Sequence, residues 1–151
     1  MSPALDAAET LRAALNVARK AQDKDRTLVL GTILANLKNR ELELRRPPTD
    51  DEVADVLRRG IKLRREAVEQ YGKAGRQDLA GVEEGQIRVL EEFLPPAVDP
   101  AEIRAAVREV IASGAKDVGK VMGQVLPRFK GRAEGRVVNQ IVREELEAGT
   151  G

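Results

Sequence analysis

The sequence predicts an all-α protein, with an N-terminal four-helix bundle followed by a small three-helix C-terminal domain. Aliphatic residues recur every three or four positions through most of the 151-residue chain, and its only aromatic residues are one Tyr and two Phe. Proline pairs at 47–48 and 95–96 end helical runs, because proline cannot donate the next helical hydrogen bond. No segment alternates apolar and polar residues over the length of a strand.

The first two predicted helices lie before the first proline pair. Leucines and alanines at helical spacing mark the first helix, up to residue 18. The second helix, from about Arg26 to Arg46, has one apolar stripe that includes Ile33 and Leu37. A second stripe at heptad spacing consists of Leu28, Ala35 and Leu42. Because a helix that is apolar on two sides should contact two partners, we expect this helix to be central.

The third and fourth helices form the second half of the predicted bundle. Thr49 begins the third helix and forms a capping box with Glu52. The fourth helix is marked by apolar positions from Leu79 to Leu94. Arg64 and Glu83 fall within the apolar stripes of these helices and face each other in an antiparallel hairpin. Either they form an ion pair at the seam, or both side chains extend to the bundle edge without meeting.

A domain boundary is predicted at the second proline pair, between an N-terminal bundle of residues 1–94 and a C-terminal domain of residues 97–151. The fifth helix begins with Asp99 as N-cap and Pro100 at its first position, and it extends to Ser113. The sixth and seventh helices are expected at about 117–126 and 134–147.

Composition excludes several kinds of chemistry. The chain has no Cys and no His, which rules out thiolate nucleophiles, disulfides, Cys/His zinc sites and His-based acid–base catalysis. No apolar run approaches the ~20 residues that span a bilayer, and no secretory signal pattern is present, so we expect a soluble cytoplasmic protein. The net charge is +1, so any preference for a polyanion must be local. We expect no catalytic residue, metal or cofactor.

Residues 119–141 contain the strongest candidate site. They combine four glycines and a proline with a single acid, Glu134, among five cations. The cations are Lys120, Arg128, Lys130, Arg132 and Arg136. The segment from Gly114 to Val121 matches much of a P-loop, but Val121 stands where Ser or Thr must hold magnesium, and a helix precedes it where a strand is needed. A nucleotide loop is therefore rejected.

Two glycines on the sixth helix suggest that something approaches it closely. Gly119 and Gly123 lie away from the side that carries Val121 and Val125. Each glycine costs about 1 kcal/mol relative to alanine in a helix. The approaching group is either a neighbouring helix or a phosphate backbone, which Lys120 would help to bind.

The outer face of the seventh helix combines arginines with side-chain amides. It consists of Arg136, Asn139, Gln140 and Arg143. Such a face can donate both to phosphate oxygens and to base or sugar edges, so it indicates an RNA-binding surface. The C-terminal region has only one aromatic residue, Phe129, on which a base could stack. Structured RNA, recognised by shape and phosphate contacts, therefore fits better than a single strand.

Several segments, in order, resemble the YqeY (GatB/YqeY) family over nearly the whole chain. They are LKNRELELRRPPTDDE at 37–52, KAGRQDL at 73–79, FLP at 93–95, GKVM at 119–122, KGRAEGR at 130–136 and VNQ at 138–140. The resemblance implies an all-helical protein in two parts. It also implies kinship with the tail of the B subunit of tRNA-dependent amidotransferase, where the tail contacts tRNA and the chemistry occurs elsewhere. An association with carbon–nitrogen ligase activity, with glutamine as amido-N-donor, is implied by the same kinship.

Three functional hypotheses follow. The first is a standalone module without catalysis of its own that binds tRNA or another structured RNA, alongside an amidotransferase or another tRNA-handling protein. The second is a protein-interaction adaptor, in which the second helix and the exposed glycines receive a partner helix. The third is an amidotransferase-type enzyme, against which the inventory offers no thiol to attack glutamine, no P-loop and no carboxylate cluster at metal-ligand spacing. No membrane partner is expected.

Overall fold

Helices make up the regular secondary structure of the part of the protein that the structure describes. The structure is a computed structural model, which describes residues 6–96, 98–129 and 132–149. Within these ranges there are seven helices and no strand, which confirms the predicted all-α class. The helices are α1 Ala7–Lys20, α2 Lys24–Leu44, α3 Asp50–Lys73, α4 Gln77–Glu91, α5 Pro100–Ala112, α6 Val118–Phe129 and α7 Gly135–Gly149. None of these helices is long and apolar enough to cross a membrane.

The chain divides into two compact units between Leu94 and Pro95. The first unit contains α1 to α4 and the second contains α5 to α7. Each unit has its own cluster of buried aliphatic side chains. The division falls at the second proline pair of the sequence. That each unit folds as an independent domain stays a prediction.

α2 lies at the centre of the first unit, where it contacts α1, α3 and α4. Four of its aliphatic side chains are buried, namely Val29, Leu30, Ile33 and Leu37. Buried side chains of the other helices complete this core, among them Leu11, Leu57, Ile61, Ile87 and Leu90. Because residues three and four positions apart share one helix face, all three neighbours pack against the same side of α2.

The second apolar stripe of α2 is not covered by another helix in the described part of the chain. Leu28 and Leu42 are 63% and 64% exposed, and Ala35 between them is exposed as well. The expectation that α2 is central is confirmed, because it contacts α1, α3 and α4, but its first apolar stripe makes these contacts and the second does not. On the helical wheel the stripe lies opposite Ile33, and the neighbouring helices pack on the Ile33 side.

The capping box at the start of α3 is confirmed. The Thr49 hydroxyl accepts from the backbone N–H of Glu52 at 3.2 Å, and the Glu52 carboxylate accepts from the backbone N–H of Thr49 at 2.9 Å. A third residue takes part, because the Arg46 guanidinium donates to both oxygens of Glu52 at 2.7 and 3.1 Å. The hydrogen bond from Arg46, followed by that from the Thr49 backbone, lowers the pKa of Glu52 from 4.5 to about 2. The Asp99 cap with Pro100 at the start of α5 is also confirmed.

Arg64 lies at the α3–α4 seam and does not pair with Glu83. Its Nε donates to Gln86 Oε1 at 2.9 Å, and its Nη1 donates to the carbonyl oxygen of Gly60 at 3.0 Å. No ion pair joins Arg64 to Glu83 in the described ranges, so the ion-pair alternative is wrong. The reason is geometric, since Gln86, about one turn beyond Glu83 on α4, offers the guanidinium a neutral acceptor. Gly60 also allows close packing here, because a Cβ on it would lie 2.8 Å from Cδ1 of Ile33.

The second unit packs α5, α6 and α7 around a single cluster of buried side chains. Its members include Ile103, Val107, Val110, Val121, Val125, Phe129, Val138 and Val142. α6 extends past its predicted end near Leu126 and continues through Pro127 to Phe129. Phe129 is 3% exposed, so burial of its ring stabilises the last turn even though Pro127 cannot donate a helical hydrogen bond.

Candidate nucleic-acid interface

α5 carries cations on one flank and acids on the other. Arg104 and Arg108 form ion pairs with α7. Glu102 and Glu109 form ion pairs with cations of the predicted site. Residues four positions apart, such as Arg104 and Arg108, share a helix face and can therefore contact the same neighbour. The ion pairs with α7 have shorter N–O distances than those with the predicted site, and their acid is less exposed.

Two arginines of α5 bind Glu145 of α7. The Glu145 carboxylate accepts from Arg104 Nη1 at 2.7 Å and from Arg108 Nε at 2.9 Å, and its side chain is 10% exposed. Arg104 also donates to Glu144 at 2.9 Å. The hydrogen bond from Arg108, followed by that from Arg104, lowers the pKa of Glu145, while Glu145 and Glu144 together raise the pKa of Arg104. Arg104 and Arg108 therefore hold α5 against α7.

The cations of the predicted site have looser acidic neighbours. The pairs are Lys120–Asp117 at 3.8 Å, Arg128–Glu109 at 3.4 Å, Arg132–Glu102 at 3.7 Å and Arg136–Glu134 at 3.5 Å. All four cations are exposed, and ion pairs of this kind contribute about 0–1 kcal/mol. A phosphate can replace such an acid at small cost. Lys130, the fifth predicted cation, lies outside the described residues.

Gly119 and Gly123 present bare backbone to solvent on α6. A Cβ on Gly123 would meet nothing within 4 Å, and a Cβ on Gly119 would meet only the Asp117 carboxylate at 3.4 Å. No neighbouring helix of the described ranges occupies this face. Of the two groups expected to approach it, a helix of the same chain is therefore excluded within those ranges, and the face is open to a ligand.

The predicted outer face of α7 is exposed apart from one half-buried position. Arg136, Gln140 and Arg143 are exposed, and Asn139 is half-buried. Arg143 Nε donates to Asn139 Oδ1 at 2.8 Å, and Gln140 Nε2 donates to Glu144 Oε1 at 3.3 Å. The hydrogen bond to Asn139 fixes the direction of the Arg143 guanidinium on this face.

On the α6 helical wheel, the glycine face borders the side that contacts the start of α7. A Cβ on Gly135 would lie 3.9 Å from Cδ1 of Leu126, and Leu126 is next to the two glycines on the α6 helical wheel. Arg136 directly follows Gly135, and residues three and seven positions further along α7 share its face. We call this set the glycine–arginine surface. Its members are Gly119, Gly123, Arg136, Asn139 and Arg143.

The other predicted cations are directed elsewhere. Arg128 and Arg132 turn toward α5, where they meet Glu109 and Glu102. Lys120 lies between the two flanks of α6 and contacts Asp117, which directly precedes the helix. The structure thus separates residues that the sequence placed in one cluster.

The perturbed carboxylates of this unit are accounted for by structural contacts. The lowered pKa values of Glu144 and Glu145 both have a hydrogen bond from α5 as their first cause. Among the described residues, no group of three or more acids could hold a metal ion, and no buried side-chain polar atom is without a hydrogen-bond partner.

The contacts that hold α5 to α7 are not predicted from the sequence. A signal was present, because Arg104 and Arg108 are spaced by four residues and Glu144-Glu145 lies near the end of the last helix. Pairing these residues requires the knowledge that α5 and α7 are neighbours, and helical periodicity does not supply it.

Comparison with protein families gives the chain its classification. A family model described as Yqey-like protein matches residues 8–146, which is most of the chain. The chain belongs to the YqeY family. The resemblance that its sequence motifs indicate is thereby confirmed.

The YqeY-family chain is similar to several fungal proteins. The uncharacterized protein C22F3.15 of Schizosaccharomyces pombe is 40% identical over 76 residues, covering 50% of this chain and 62% of that protein. Altered inheritance of mitochondria protein 41, mitochondrial, is 28% identical over 110 residues in Lachancea thermotolerans, covering 71% of this chain and 59% of the relative. The protein of the same name in Eremothecium gossypii is 27% identical over 103 residues, covering 66% and 56%.

These relatives are longer than the region that they share with the chain. The chain spans about six tenths of their length. Two of the three carry a mitochondrial location in their names. The cytoplasmic location expected from the sequence therefore stays a prediction.

Proposed function

We propose that this YqeY-family protein is a binding module for tRNA or another structured RNA, and that its second unit makes the contact. The glycine–arginine surface is the observation that supports this most. Bare backbone at Gly119 and Gly123 allows a sugar–phosphate chain to come close, and Arg136 and Arg143 lie on the neighbouring helix face to donate to it. Asn139 and Gln140 add donors and acceptors that can meet a ribose hydroxyl.

Further cations can join the contact at small cost. Lys120, Arg128 and Arg132 have only exposed acidic neighbours at 3.4–3.8 Å. A charge-assisted hydrogen bond to a phosphate is stronger than an exposed ion pair of that length. Arg104 and Arg108 are different, because their bonds to the largely buried Glu145 hold α5 to α7. These two arginines therefore lie outside the proposed interface.

The burial of Phe129 supports structured RNA over a single strand. Base stacking on an aromatic ring is the usual means of holding unpaired bases. Phe129 is the aromatic residue of the second unit, and it is 3% exposed in the unit's core. Contacts from the surface described above are to phosphate and sugar, which a folded RNA presents at fixed spacing.

We also propose that the two units are separate domains, an N-terminal four-helix bundle and a C-terminal three-helix domain. In this arrangement the C-terminal domain binds RNA, and the protein assists an amidotransferase or another tRNA-handling protein in the cytoplasm. The kinship with the amidotransferase tail that the sequence resemblance implies supports this role. The proposal assigns no catalytic step to the chain itself.

Charge reversal tests the proposed interface. We expect Arg136→Glu with Arg143→Glu to weaken binding of the full chain to unmodified tRNA by at least about tenfold, measured by fluorescence anisotropy at ~0.1 M salt. Arg12→Glu with Arg19→Glu is the matched control, since it changes two exposed arginines of α1 at the same spacing. Equal affinity of the wild-type protein and the Arg136/Arg143 variant would exclude this surface.

A further inference from the structure

A groove on the first unit lies between α2 and the outer face of α4. Its volume is about 810 Å³, and its aliphatic lining residues are Leu28, Val29, Val82 and Val89. Leu28 on α2 and Val82 on α4 are 63% and 57% exposed. Single exposed aliphatic residues are common on protein surfaces, but here two from different helices line one groove.

Two glycines open the α4 side of the groove. A Cβ on Gly81 would meet nothing within 4 Å, and a Cβ on Gly85 would meet only Arg88 Nη2 at 3.8 Å. Neither glycine has a positive φ that would favour it over other residues. Each costs about 1 kcal/mol relative to alanine in a helix. Packing within the described chain does not account for them, and their small size lets a partner approach the α4 backbone.

The charged residues of the groove give it a net negative lining. They are Asp23, Asp25, Arg26, Asp78, Arg88 and Glu92. Glu92 pairs with Arg26 at 2.6 Å, and Asp78 pairs with an arginine outside the groove at 3.1 Å. These two pairs leave Asp23 and Asp25 against Arg88, so the net negative charge of the lining comes from the α2 end of the groove, although the carboxylate of Asp23 also caps α2. This lining repels a phosphate backbone and favours a basic protein segment.

We propose that this groove binds an amphipathic α-helix of a partner protein, with an aliphatic stripe against Leu28 and Val82 and Lys or Arg residues near Asp23 and Asp25. A helix fits the length of the site, because α4 has 15 residues and is therefore about 22 Å long. The groove residues of α4 and its C-cap lie at positions 78, 81, 82, 85, 86, 88, 89 and 92, most of them three or four residues apart, as on one face of a helix. Binding of an amphipathic helix in an apolar groove is an established recognition mode. This site is independent of the proposed RNA-binding surface.

A designed peptide tests the proposal on the full chain. The probe is a fluorescein-labelled helix of about 18 residues, with leucines in one stripe and lysines on either side of it. Two peptides serve as comparisons, one with glutamate in place of lysine and one of the same composition without a stripe. We expect the lysine-flanked stripe to bind at least about tenfold more tightly than either comparison peptide, measured by fluorescence anisotropy.

Substitutions in the groove test whether the peptide binds there, and they are chosen so that the protein stays folded. Gly81→Leu and Gly85→Leu fill the groove and raise helix propensity, so they should weaken peptide binding about tenfold while the protein stays folded. Gly72→Leu is the matched control, because that glycine also has open space around it but lies outside the groove. Val82→Asp should weaken binding, whereas Leu63→Asp, at a similarly exposed position on α3, should not.

Several results would overturn the proposal. They are equal binding of the three peptides, equal loss of binding in the groove and control variants, and no binding of the lysine-flanked peptide. A concentration-dependent dimer in analytical ultracentrifugation that Gly81→Leu abolishes would also overturn it, by identifying a second copy of the chain as the occupant. Loss of tRNA binding in the groove variants would show that RNA occupies the site.

Discussion

The ionisation state of the Glu52 carboxyl group affects the stability of the start of α3. Its pKa is lowered from 4.5 to about 2, with the hydrogen bond from Arg46 as the first cause. A group whose pKa is lower in the folded state stabilises the fold fully above its unfolded value and loses that contribution as the pH falls through its folded value. The relevant window here is therefore pH 4.5 down to about 2.

We expect Glu52→Gln to remove this part of the acid sensitivity. The free energy of unfolding, measured with urea at pH 7 and at pH 3, should fall less for the variant than for the wild-type protein, because Gln does not titrate. Glu66→Gln, at an exposed position on the same helix, serves as the control. If Glu52→Gln and the wild-type protein lose the same free energy, the contacts of Glu52 do not contribute as described.

Glu145 should matter more for stability than the acids of the predicted site. It is largely buried and accepts hydrogen bonds from Arg104 and Arg108, whereas Glu134 has one exposed neighbour at 3.5 Å. Glu145→Gln leaves Arg108 with a neutral partner and Arg104 with the carboxylate of Glu144, and it should lower the thermal midpoint several times more than Glu134→Gln. Circular dichroism measures both midpoints, and equal effects would contradict the difference in role.

At the residue scale, local contacts are predicted from the sequence and distant ones are not. The capping box of Thr49 with Glu52 and the Asp99 cap are set within a few residues, and both are confirmed. The participation of Arg46 depends on how the chain turns after α2. The partner of Arg64 depends on which residue of α4 lies nearest across the seam, and a helical wheel does not resolve a difference of one turn.

The helical glycines Gly60 and Gly123 have opposite surroundings, and a substitution at each of them tests this difference. Gly60 lies where α2, α3 and α4 meet, and a Cβ there would be 2.8 Å from Ile33 and 3.5 Å from Leu90. Gly123 has open space around it. We expect Gly60→Val to lower the free energy of unfolding by about 1–3 kcal/mol through overpacking. Gly123→Ala should raise it by up to about 1 kcal/mol through helix propensity.

Urea denaturation measures both glycine effects. Gly72→Ala is the control for Gly123→Ala, because it also removes an open helical glycine but lies in the first unit. A loss of stability on Gly123→Ala would mean that the glycine has a structural role in the chain. A gain of stability with weaker tRNA binding would support its role in the interface.

The number and approximate positions of the helices are predicted from the sequence. The ends of the helices, and which of their faces are exposed, are predicted less well. The proline pairs and caps locate the helices because they act through the backbone. α6 ends later in the chain than the sequence predicts, because burial of Phe129 outweighs the effect of Pro127. The sequence does not predict that the second apolar stripe of α2 is uncovered, because apolar spacing shows which residues share a face but not whether anything covers that face.

For the whole molecule, the central structural prediction is that the two units unfold separately. Leu90→Ala in the first unit and Ile103→Ala in the second each remove a fully buried side chain and should cost about 2–5 kcal/mol. Hydrogen exchange should then increase in residues 7–91 for the first variant and in residues 100–149 for the second. An increase in both units for either variant would contradict independent domains.

The candidate site of the second unit is predicted from the sequence only in part. The exposed arginines and amides of α7 and the open glycines of α6 follow from helical periodicity. The direction of Arg128 and Arg132 toward α5 does not, because it depends on acids that are distant in the sequence. With a net charge of only +1, the proposed binding of a polyanion depends on these local pairings.

The salt dependence of tRNA binding tests the proposed function most directly. If the five cations of the proposed contact, Lys120, Arg128, Arg132, Arg136 and Arg143, engage phosphates, the logarithm of the binding constant should fall against the logarithm of salt concentration with a slope of about −3.5 to −4.5. Anisotropy titrations of the full chain with tRNA between ~0.05 and ~0.2 M salt give this slope. A slope in that range is the predicted result, and a flat response, or no binding at low salt, would contradict the account.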